Sequence, residues 1–146
     1  MTENLLRNWE IEHFRTIGRE LREAGIEFTR KNIERVLNET SFTTRSKKHP
    51  KECPYYQMQE GMLKSCHPKI EADNFSCFLC SCPNYDSSSD QGKCRINSPQ
   101  GKYFPVNWNS SGKVWDCSDC TNFHSTNQVR SYIESKFKEI KASLQS

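Results

Sequence analysis

Apolar and aromatic residues recur at steps of three and four near the start of the chain. Leu6, Trp9, His13, Ile17 and Leu21 fall in register, with Phe14 alongside and charged residues between them. That period puts them on one face of an α-helix and predicts a helix over residues 3–24. Gly25 stands where a left-handed residue would end it. A shorter helix is predicted over Lys31–Asn38, with Ile33, Val36 and Leu37 as its apolar side. Near the other end Val129, Ile133, Phe137, Ile140 and Leu144 trace a third stripe. It predicts an amphipathic helix over Thr126–Leu144 that packs against the rest of the chain. Ser125 followed three residues later by Gln128 is a capping-box pattern at its start.

Between these helices the period lapses. Ser41–Lys51 contains Arg45, Lys47, Lys48 and Lys51 and no acid. Such a run is a solvated linker or a contact for phosphates. Beyond it Ser, Asn, Asp, Gly and Pro favour turns over long elements. Asp86–Gly92 reads as a surface loop. Lys102–Trp108 and Gly112–Trp115 read as short strands joined through hairpin chemistry at Asn109–Gly112. The chain then divides into an N-terminal helical extension (1–40), a basic linker (41–51) and a cysteine-rich region with its C-terminal helix (52–146).

Composition changes this picture in one respect. Hydrophobic residues make up 34% of the 146 and the mean hydropathy is −0.89, so the turn-rich region buries little core and needs a staple. Eight cysteines bunched from Cys53 to Cys120 supply one. An even count also suits a disulfide framework. Residues 1–20, however, carry Glu3, Arg7, Glu10, Glu12, Arg15, Arg19 and Glu20 and no apolar run of the secretory kind. A reducing, cytoplasmic setting is therefore expected, where thiols stay free or bind metal. No stretch is apolar for long enough to span a membrane. The net charge of +3 adds little by itself.

A Cys-x-x-Cys turn brings two sulfurs to one side, and two such turns complete a tetrahedral site. Cys77/Cys80 with Cys117/Cys120 is one candidate set. Cys53, Cys66, Cys82 and Cys94 then remain for a second, with His67 and His124 as reserve ligands. Extended backbone would turn Cys80 and Cys82 opposite ways, which sends Cys82 to a different metal or a different corner of a cluster. Zinc is the expected ion, at two sites. A [4Fe-4S] cluster is the alternative, because Cys77-x-x-Cys80-x-Cys82-Pro83 packs three thiols closely and ends in a Cys-Pro step. The expected fold class is a small α+β metal-stapled module of knuckles and short hairpins, with N-terminal helices and a C-terminal amphipathic helix.

Three stretches carry a family resemblance: Cys66-His67, Asn74 through Tyr85, and Gly112 through Cys120 closing at His124. Within the middle one, Phe75-Ser76-Cys77-Phe78-Leu79-Cys80-Ser81-Cys82-Pro83-Asn84-Tyr85 is the most specific. Over residues 52–135 the chain resembles the cysteine-rich small domain family, a metal-binding, zinc-finger-like group. Family members occur alone or attached to cobamide-salvage and other enzymes. The chain departs from that pattern in the long interval from Cys53 to Cys66, and in Phe123, where the family carries proline before the last histidine. The resemblance implies metal and a small fold more than a reaction.

Three functions compete. A metal-binding accessory module would dock another protein through its helices and exposed aromatics. A nucleic-acid binder would use Arg45, Lys47, Lys48 and Lys51 for phosphates, and Tyr55, Tyr56, Tyr103, Phe104 and Trp108 for stacking. An iron–sulfur redox or enzyme subunit is the third. No catalytic pair stands out among the acids, so the first reading leads.

Overall fold

The computed structural model of the chain describes residues 4–56, 66–67, 69–80, 82–120 and 123–145. Its first helix, α1 (Leu5–Glu23), starts at Asn4, whose side-chain oxygen accepts from the Arg7 amide at 3.1 Å; residue 3, the expected start, lies outside the described residues. The helix ends as the sequence predicts. Gly25 adopts φ +73°, its amide donates to Arg22 O at 3.0 Å, and the Ile26 amide donates to Leu21 O at 2.9 Å. This is a Schellman closure, completed by Leu21 and Ile26 meeting in the core.

A 3₁₀ turn at Arg30–Asn32 leads into α2 (Ile33–Glu39), which buries Ile33, Val36 and Leu37. The stripe predicted over 126–144 is continuous in sequence but forms two helices, α4 (Thr126–Ser135) and α5 (Phe137–Gln145), with Lys136 between them. The break divides the stripe: α4 packs on α2 and α5 packs on α1. At the start of α4 the Ser125 hydroxyl donates to the Gln128 side-chain oxygen at 3.0 Å and makes no backbone cap. Gly18 allows α5 to approach closely, since a Cβ there would overlap the Leu144 carbonyl. Ile17, Val36, Val129 and Ile133 are wholly buried in this helical core, each contributing about 1.5–3 kcal/mol.

The stretch 41–51, expected as a solvated linker, carries helix α3 (Phe42–Lys48) instead. Ser41 caps it by accepting from the Thr44 amide at 3.2 Å. The helix buries Phe42 and Arg45. A second core forms there from Phe42, Tyr56, Ile70, Phe75 and Cys77.

Two small antiparallel sheets complete the described residues, so the chain is mixed α+β. Strands β1 (Tyr85–Asp86) and β2 (Lys93–Cys94) pair, as do β3 (Lys102–Pro105) and β4 (Lys113–Asp116) with Tyr103 opposite Trp115. The first of the long strands stops at Pro105 rather than reaching Trp108. Phenols link the hairpins: Tyr85 OH donates to Trp115 O at 2.8 Å and Tyr103 OH to Gly92 O at 3.0 Å. The loop expected at Asp86–Gly92 is tied down too, because the Trp115 amide donates to Gln91 O at 2.7 Å. No helix among the described residues is long and apolar enough to cross a membrane.

Candidate metal centre

The Phe75–Cys80 segment is held by backbone on two sides. The Phe42 amide donates to Phe75 O at 2.9 Å, the Cys77 amide to Thr40 O at 2.9 Å, and the Ser76 amide to His124 O at 2.8 Å. The residues between the two cysteines fasten it further. Phe78 and Leu79 enter the helical core, while Cys77 belongs to the second one. Phe78 is flanked by Phe28 and Phe14, and its carbonyl is bonded to His13 Nε2 at 2.9 Å.

The eight cysteines form no disulfides among the described residues, and they divide four and four. Cys53, Cys66, Cys77 and Cys80 line a cavity of about 490 Å³ together with His67, Trp9, His13, Tyr55 and Tyr56. Cys82, Cys94, Cys117 and Cys120 line a much smaller one, about 20 Å³, together with His124. The two Cys-x-x-Cys steps, paired with each other in the sequence reading, therefore face different cavities. Cys80 and Cys82 line different cavities. Among the described residues, no three Cys, His, Asp or Glu side chains are gathered tightly enough to hold an ion. The thiols of each set share a cavity without converging on a point.

Their electrostatics follow from burial. Desolvation pushes Cys66 and Cys117 up to about 12 and also raises Cys53 and Cys82. Cys77 is the exception. A hydrogen bond from the Cys80 thiol lowers it, opposed by burial and assisted by Tyr56 and Arg45, while the same bond pushes Cys80 well up.

The two histidines lie side by side, ring centroids 4.0 Å apart, with His124 stacked on Phe75 at 5.2 Å. Burial keeps both neutral, and next to His67 the His124 imidazole drops to about 3. His124 Nδ1 is buried with no hydrogen-bond partner among the described residues.

The basic candidates separate. Arg45 is 5% exposed and its guanidinium is forked onto Glu20, Nε to Oε2 at 3.0 Å and Nη2 to Oε1 at 2.9 Å. It is turned inward, away from any phosphate. Lys47, Lys48 and Lys51 are exposed, with Lys48 paired to Glu39 at 2.7 Å.

Sequence reasoning missed Glu20 and the inward role of Tyr56. One signal was present: Glu20 falls three residues after Ile17 and next to Leu21, on the apolar face of α1, where an acid needs a buried partner. No protein-family model, curated protein or solved structure matches this chain.

Proposed function

We propose that the chain is a zinc-binding accessory module with two four-cysteine sites, one of Cys53, Cys66, Cys77 and Cys80 and the other of Cys82, Cys94, Cys117 and Cys120. The observation that carries this reading is the four-and-four division of the thiols between two cavities. Deprotonation by the metal would draw each set together, since a thiolate and not a thiol is the ligand. His124, whose Nδ1 has no hydrogen-bond partner among the described residues, is a reserve ligand at the second site. His67 sits beside the first. Closed four-thiolate sites leave no open coordination position, so the role is to hold the hairpins and the knuckle in place. The exposed Trp9, Phe104 and Trp108 would then meet a protein partner.

The volume of the first cavity favours a second reading there, a [4Fe-4S] cluster on the same four cysteines. Elemental analysis of anaerobically purified protein separates the two. Two zinc ions per chain without acid-labile sulfide supports the zinc module. Iron with about four sulfides supports the cluster, and a metal-free folded chain refutes both.

A further inference from the structure

A chain of buried hydrogen bonds runs from α1 to a sulfur of the first site. Glu20, on α1, is 3% exposed and receives the Arg45 fork from α3. The third guanidinium nitrogen, Nη1, donates to the Tyr56 hydroxyl oxygen at 2.8 Å. The Tyr56 hydroxyl then donates to Cys77 Sγ at 3.2 Å. Tyr56 is itself 5% exposed, with its ring edge-on to Phe42 at 5.2 Å. Each member has its rotamer fixed by the next, and burying an acid and a guanidinium is costly unless the two are paired and hydrogen-bonded, as they are here.

The direction of the bonds carries the argument. Arg45 has spent its fork on Glu20, and an Nη1 N–H fixes the phenol oxygen as acceptor. The phenol proton then has one direction left, toward the sulfur. A donor so aimed suits a sulfur that carries charge, since a hydrogen bond to an ionised acceptor is roughly twice as strong as one between neutral groups. Groups of this kind orient metal ligands and hold their charge.

We propose that Tyr56 is a positioning residue for metal at the first site: held by Arg45 and Glu20, it keeps Cys77 oriented as a ligand. Occupancy of the first site thereby depends on α1 and α3, which contribute none of its sulfurs. This rests on the two-site reading above.

The test is titration of the full chain with Co²⁺ under anaerobic conditions, comparing wild type with Tyr56→Phe and with circular dichroism as the check on folding. Cobalt reports both affinity, by competition with a chelator, and the thiolate environment, through its sulfur-to-metal charge-transfer band. Tyr56→Phe should weaken one of the two ions about 10–100-fold and shift that ion's charge-transfer band to lower energy, leaving the other ion as in wild type. A purely structural role for Tyr56 would leave the band of the bound ion in place. A folded Tyr56→Phe with wild-type affinities and an unshifted band overturns the inference and leaves the two-site reading standing. A wild-type chain that takes up no cobalt overturns the two-site reading, and this inference with it. Should Tyr56→Phe fail to fold, Arg45→Lys keeps the charge but loses the fork. It should weaken and shift the same ion, and an unchanged titration there is equally decisive against the proposal.

Discussion

Replacing Phe78 by alanine tests whether the cysteine knuckle is fastened to the helical core. Its ring has no exposed surface; it lies parallel to Phe28 with centroids 6.3 Å apart and edge-on to Phe14 at 6.2 Å. An aromatic side chain of this kind withdraws about 200 Å² from water, which at about 25 cal/mol per Å² is about 5 kcal/mol. Alanine keeps part of that contact but leaves a void among rigid neighbours, and such changes cost about 3–5 kcal/mol. A loss of about 4 kcal/mol is therefore expected, out of a total of about 5–15 kcal/mol for a domain. In Tm this is a fall on the order of 10–15 °C. Urea unfolding followed by circular dichroism measures it directly, as a lower midpoint with unchanged slope. Phe104→Ala is the control, because that ring is 53% exposed and its loss should stay within about 0.5 kcal/mol. If Phe78→Ala lost less than about 1 kcal/mol, the fastening argument would be wrong.

Two further predictions concern the buried charges. Arg45→Met leaves the buried Glu20 carboxyl without its fork and should cost about 3–5 kcal/mol, whereas Glu20→Leu with Arg45→Met should cost clearly less than the two single changes summed; additive losses in urea unfolding would argue against a coupled pair. His13 is held down to about 4 by burial, opposed by its bond to the Phe78 carbonyl and reinforced by the nearby Arg45. The unfolded chain binds that proton first, so the contribution is complete above about pH 6.5 and is lost as pH falls toward 4. It amounts to about 3 kcal/mol. His13→Gln should flatten the decline in urea stability between pH 7.5 and 4.5, and coincident slopes for the two proteins would count against it.

The helices were legible because their signal is local. The stripe through Ile17 and Leu21, the stripe from Val129 to Leu144, and Gly25 at the end of α1 each depend on neighbours within a few residues. Helix α3 was hidden for the opposite reason. Its segment has no apolar period, and its inward face is built on Arg45, which needs Glu20 from 25 residues earlier. The break at Lys136 was invisible because the stripe runs straight through it. The grouping of cysteines was only half legible. Adjacent sulfurs in Cys-x-x-Cys steps suggest that two steps share a site, but the backbone bonds from Thr40, Phe42 and His124 hold the first step at the foot of the helices. The second step follows β4 on the hairpin side. Which cavity each step lines follows from those long-range bonds and not from spacing.

The bond chain from Glu20 to Cys77 also bears on how portable the cysteine-rich region is. A chain cut at residue 52 would keep every sulfur of both sets. It would leave Tyr56 without the guanidinium that orients it, and Phe78 and Leu79 without the α1 and α2 side chains that cover them. Such a fragment retains the complete inventory of thiols but lacks their scaffold. Residues 52–146 are therefore not a transplantable unit: moved to another host, they would have to be accompanied by the helices that precede them.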